Sequence, residues 1–161
     1  MIANLWDDAL LTPHVTPVLP LGAKVVDPST RKVYRYAQLV STEAGTVIAG
    51  NPLCDNLVDS SGYILKKVGM SINHCRGIAT AAWTKGYYGL VQTGGKKTGG
   101  IADAGGAIAA GELLTAKLTS GGFDRVTLGQ APKASVIAVA DAADDSTTGL
   151  LVNVTLIIDN E

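Results

Sequence analysis

The chain reads as an all-β protein, a small barrel or sandwich with an extended N-terminal arm. Strand-like runs recur at roughly 8–12-residue spacing with turn residues between them, the rhythm of a barrel or sandwich. No helical pattern of ten or more residues follows the first 21 positions. The apolar content comes mainly from Ala, Val, Leu and Ile with a single Phe. Such small and β-branched side chains suit thin sheets better than thick helical layers. A length of 161 residues accommodates one domain with a real core. The expected division is an arm over residues 1–21 and a single β-domain over residues 22–161.

In the arm, Pro13, Pro17 and Pro20 block helix continuation and bias the residues before them toward extended conformations. Ile2, Leu5, Trp6, Leu10 and Leu11 form an apolar cluster that a short tail cannot bury by itself. Either the tail folds back on its own domain or it reaches a neighbouring subunit. The sequence expectation takes the second course, with residues 1–20 extended and bound outside their own domain.

Lys24–Val26 and residues 31–40 flank Asp27-Pro28-Ser29-Thr30, where Pro presets a turn and Asp can bond backbone amides, so a β-hairpin is expected. In its second strand Val33, Arg35, Ala37 and Leu39 share one face, while Tyr34, Tyr36, Gln38 and Val40 share the other. Residues 41–62 hold Gly45, Gly50, Pro52, Asn56 and Gly62 and read as loop, with one short strand at 46–49. Strands at 67–74, 77–83 and 87–93 fit the runs between Gly69, Gly77, Gly86 and Gly89. From Gly94 to Gly111 three Gly-Gly pairs carry a large backbone entropy cost, so this stretch is expected to be loop or bulged edge. A second hairpin follows over 112–119 and 125–128 around Ser120-Gly121-Gly122. Strands at 134–140 and 150–158 close the chain; in the last, Leu150, Val152, Val154, Leu156 and Ile158 alternate cleanly.

Composition narrows function. The net charge is −1 and the 13 basic residues are scattered, which disfavours nucleic acid as a partner. The longest apolar stretches are shorter than the roughly 18 residues needed to cross a bilayer, so no membrane partner is expected. Asp7 and Asp8 precede any Lys or Arg, so no secretory leader is expected either.

Candidate chemistry is sparse. His14 lies between two prolines, and His74 abuts Cys75 on what reads as a strand, where adjacent side chains face opposite ways. Cys54 and Cys75 lack CxxC spacing and are expected as buried, reduced thiols. The stretch around Gly94, Gly95, Lys96 and Lys97 lacks the spacing of a phosphate-binding loop. Asp141, Asp144 and Asp145 lack EF-hand spacing and read as a solvated turn. The expectation is therefore a protein that is not an enzyme, with no catalytic residues, no metal and no cofactor.

Several stretches together resemble a known family. Leu21-Gly22 enters the first strand, followed by the run from Asp27 through Pro28-Ser29-Thr30-Arg31-Lys32-Val33-Tyr34-Arg35 to Tyr36. Tyr88-Gly89-Leu90-Val91-Gln92-Thr93-Gly94-Gly95, Ala110-Gly111-Glu112-Leu113-Leu114, Gly121-Gly122 and a closing apolar strand complete the pattern. It resembles the bacteriophage capsid decoration, or cement, proteins over roughly residues 21–158. The resemblance implies a small β-barrel or β-tulip-like domain, as a trimer made in the host cytoplasm that sits on the outer capsid surface. There it would clamp copies of the major capsid protein in the expanded head against internal DNA pressure. The arm residues Leu5, Trp6, Leu10, Leu11, Pro13, Pro17 and Pro20 are then the candidate contacts with capsid or sister subunit. Two rivals stand beside this reading. One is a head-fibre or tail module binding a receptor or glycan through Trp83, Tyr87 and Tyr88; the other is a small β-barrel hydrolase, against which the missing constellation of catalytic groups argues.

Overall fold

The computed structural model describes residues 8–56, 61–67, 75–101, 107–117, 121–126, 136–143 and 151–158. One helical turn, α1 (Asp8–Leu11), precedes ten strands. These are β1 (Lys24–Val26), β2 (Val33–Leu39), β3 (Pro52–Asp55), β4 (Ile64–Lys66), β5 (Cys75–Ala79) and β6 (Tyr88–Ile101), then β7 (Leu113–Ala116), β8 (Phe123–Arg125), β9 (Ala138–Ala140) and β10 (Leu151–Ile157). The all-β expectation holds.

The first half of the chain closes a ring. β2 pairs β4 in parallel, β4 pairs β3, β3 pairs β5, β5 pairs β6, and β6 returns to β2, the last four pairings antiparallel. Strand alternation then sorts the side chains. Ala37 and Leu39 of β2, Leu53 of β3, Leu65 of β4, Ala79 of β5 and Val91 of β6 pack together inside the ring with Val47 and Trp83. Each fully buried leucine contributes about 2 kcal/mol by leaving water. Their neighbours in sequence point outward, onto two different covers. Cys54 and Ile78 meet the continuation of the same ten-stranded sheet, in the order β6-β10-β9-β7-β8, through Leu114, Phe123, Ile137, Val154 and Leu156. Tyr34, Tyr36 and Leu90 meet Leu10, Leu11, Leu19 and Leu21 of the N-terminal segment.

β6 joins both halves, and here the sequence expectation needs correction. Residues 94–101, read as loop or bulged edge, form the second half of a central strand paired with β10. The bulges are real. The register slips opposite Val33/Tyr34 and again opposite Val152/Val154, and Gly95 and Gly99 take φ of +82° and +77° within this half of the strand. Glycine accepts that left-handed conformation without a Cβ clash, so the strand bends and continues instead of ending. Buried Gln92 helps by donating its amide to the carbonyls of Gly94 and Lys96, at 3.1 and 3.0 Å. Residues 102–106 lie outside the described part, and 107–110 contain no helix but bury Ile108.

Other elements differ in detail. Within 41–62 the strand is β3, whereas Val47 makes only an isolated bridge to Trp83. All four β3 residues are buried, so no alternation marked them. Of the strands read at 67–74 and 77–83, the structure has β5 at Cys75–Ala79, and residues 68–74 lie outside the described part. The hairpin β7–β8 turns at Gly121-Gly122 as expected, with its return strand starting earlier, at Phe123.

The first hairpin pairs Lys24 with Arg35 and Val26 with Val33. In its turn the Asp27 carboxylate accepts bonds from the Ser29 and Thr30 amides and hydroxyls. These bonds, the Thr30 hydroxyl first and the Ser29 hydroxyl next, hold Asp27 at about 2, below its ordinary 3.8. Folding thus lowers this pKa. Its stabilisation is complete above about pH 4 and is lost as pH falls toward the folded value. Asp27→Asn should flatten that limb of the acid stability profile in thermal melts; a variant profile parallel to wild type would contradict the assignment.

Candidate functional site

Residues 10–21 do not stand off the domain. After α1, residues 12–21 run across the outward face of β2 and β6, because Tyr34, Tyr36 and Leu90 there present the apolar partner that Leu10, Leu11, Leu19 and Leu21 need. For residues 8–20 this corrects the expectation of an extended arm held off its own domain, since Asp8–Leu11 is helical and Leu10, Leu11 and Leu19 pack on the domain; residues 1–7 lie outside the described residues. His14 exchanges both backbone hydrogen bonds with Tyr88, each at 2.8 Å, a one-residue antiparallel pairing.

The side chain of His14 completes a staple. Its Nδ1 lies 3.0 Å from the Thr12 carbonyl oxygen, which can only accept, so Nδ1 carries the proton. Nε2 then accepts from the Tyr36 hydroxyl at 2.6 Å, and that hydroxyl accepts from the Val18 amide at 3.0 Å. The His14 ring stacks on Tyr36 at 5.7 Å, and Tyr36 stacks on Tyr88 at 6.1 Å. Burial, more than any other influence, pushes the Tyr36 phenol above its usual range. Tyr36→Phe keeps the ring and removes the hydroxyl, leaving His14 Nε2 and the Val18 amide unpaired. A loss of about 1–2 kcal/mol is expected, with faster amide exchange at Val18. Unchanged exchange there would contradict the staple.

What this staple presents is apolar. Val15 and Val18 are 65% and 58% exposed, and together with Leu10, His14 and Thr16 they line an open cleft of about 480 Å³. Of the residues expected to make contacts, Leu10 and Leu11 are half-buried on their own domain, Pro13 is half-buried, and Pro17 and Pro20 are exposed. Leu5 and Trp6 lie outside the described residues. The sequence reading passed over Val15 and Val18, and it set aside His14 and placed Tyr36 on a strand face without pairing the two. Two valines exposed between prolines were the available signal.

Other candidates resolve as follows. Cys54 and Cys75 face each other across β3 and β5 as free thiols, Cys54 buried and Cys75 half-buried. The hydrogen bond between the thiols, followed by burial, pushes Cys75 well above the ordinary range, and the same bond favours the Cys54 thiolate. Lys96 and Lys97 belong to β6, not to a loop. Asp141 accepts from the Thr155 hydroxyl at 2.6 Å, whereas Asp144, Asp145 and His74 lie outside the described residues. Of the aromatics considered for a glycan platform, Trp83 is buried inside the ring and Tyr88 is packed beneath the N-terminal segment; Tyr87 is half-buried.

The chain is thus an all-β domain whose N-terminal segment is pinned across one face of a strand ring. No protein-family model matches it, and no curated protein matches it in sequence. Among solved structures it is similar to the N base of the head fibre gp8.5 of bacteriophage phi29. The TM-score is 0.49 and the identity 18%, covering 80% of this chain and 96% of that one. The likeness assigns no role to any residue here.

Proposed function

We propose that the protein is a non-enzymatic structural component of a phage virion, bound to the outer surface of the capsid and stabilising the expanded head. The observation that carries this reading is the pinned apolar surface around Val15 and Val18. Contiguous exposed apolar side chains mark interaction sites. Holding them by backbone bonds and the His14–Tyr36 staple removes much of the ordering cost that binding would otherwise meet. The resemblance of residues 21–158 to capsid decoration proteins supplies the partner, the major capsid protein. It also supplies a homotrimeric state, for which light scattering should give three times the 16.5 kDa chain mass.

Co-sedimentation of the purified protein with undecorated heads tests the reading. Saturable binding is the expected result. Protein left wholly in the supernatant contradicts it, and a positive glycan array without head binding replaces it with a receptor-binding fibre module.

A further inference from the structure

A second feature lies where the Gly-rich half of β6 passes the start of β2. Lys32, Lys97 and Thr98 line a half-open cavity of about 240 Å³ together with Leu11, Tyr34, Thr80 and Gln92. Two ammonium groups face one small space, and among the described residues neither forms an ion pair. Lys97 is half-buried. Burial first, and the charge of Lys32 second, hold its ammonium below the ordinary lysine value.

The other polar groups of the cavity are already committed. The Gln92 amide donates to main-chain carbonyls, and the Thr80 hydroxyl donates to Leu90 O at 2.8 Å. Beside them the lining carries the two ammoniums, the Thr98 hydroxyl and Tyr34, which has an interaction of its own. A desolvated cation facing a like charge is unfavourable alone and favourable once an anion bridges both. Two positive charges lining one small space favour a compact oxyanion over a neutral sugar.

We propose that the cavity between Lys32 and Lys97 is a binding site for a single compact oxyanion, held by both ammoniums and the Thr98 hydroxyl. A phosphate group or a carboxylate shares this chemistry. The site is independent of the apolar surface around Val15 and Val18, so either can fail without the other.

The test uses the full-length protein labelled with ¹³C-lysine. The Lys97 side-chain signal and the thermal midpoint are followed while inorganic phosphate, or acetate as the stand-in for an acidic side chain, replaces chloride at constant ionic strength. Saturable movement of the Lys97 signal, its titration midpoint rising with anion, is expected. Phosphate saturating first identifies a phosphate site; acetate saturating first identifies a carboxylate site. Lys97→Gln should weaken binding about tenfold or more without lowering the thermal midpoint, because it removes a half-buried charge held beside the like charge of Lys32. Lys32→Gln should weaken it too, and Lys85→Gln, on the exposed loop before β6, should leave it unchanged. A Lys97 signal insensitive to both anions, or an equal anion response in Lys97→Gln, overturns the proposal.

Discussion

Gly50→Ala is expected to lower the melting temperature by roughly 10 °C. Gly50 has φ +94°, and a Cβ there would lie 2.2 Å from the carbonyl oxygen of Gly99 and 3.2 Å from Ile101 Cγ1. Neither side can yield easily. The Gly50 amide donates to Ala79 O at 2.9 Å, and the Ile101 amide donates to Gly50 O at 3.2 Å, so the residue is stitched between the ends of β5 and β6. The left-handed conformation alone costs about 1–2 kcal/mol for alanine. Displacing a backbone oxygen in a central strand brings the total to about 4 kcal/mol. Gly111 separates the two contributions, since its φ is +81° but nothing lies within 4 Å of its Cβ position. Gly111→Ala should lose only the conformational part. Equal losses in the two variants would show that the close approach at Gly99 does not matter.

The double substitution Val15→Asp, Val18→Asp is expected to weaken attachment to undecorated heads by about two orders of magnitude. Both side chains are mostly exposed, so the folded protein should tolerate the charges. If the surface is buried on the capsid, each carboxylate must be desolvated without a partner. A penalty of about 1.5 kcal/mol each gives the hundredfold loss. Binding isotherms on heads would measure it, with circular dichroism and melting temperature as the check on folding. Wild-type affinity in this variant would remove the N-terminal surface from the interface.

Which features were legible in the sequence follows from how local their causes are. The hairpin β1–β2 announces itself through Asp27-Pro28 and the two-faced alternation of β2, and both faces are used as read: Ala37 and Leu39 inward, Tyr34 and Tyr36 outward. β10 is legible for the same reason, with Val154 and Leu156 buried. β3 was not, because a strand buried on both faces has no alternation and this one begins at Pro52. The Gly pairs after Thr93 carry opposite meanings in isolation and in place. Alone they favour a loop; bulged between β2 and β10 and tied by Gln92, they let one strand serve both halves of the sheet.

The sites were less legible than the fold. Proline spacing in the N-terminal segment suggested a chain held straight, but its course is decided by a hydroxyl 22 positions away from His14. The same holds for the cavity between Lys32 and Lys97, which exists only because β6 passes the end of the first hairpin. Side chains that meet through long-range pairing leave no spacing signature.

The central claim is attachment to the outside of a phage head through the pinned N-terminal surface. Cryo-electron microscopy of undecorated phage heads incubated with the purified protein is the direct test. The account predicts added density on the outer surface, with the segment carrying Val15 and Val18 against the capsid protein. Heads that remain bare, or density contacting the capsid only through the β7–β8 end of the domain, would contradict it.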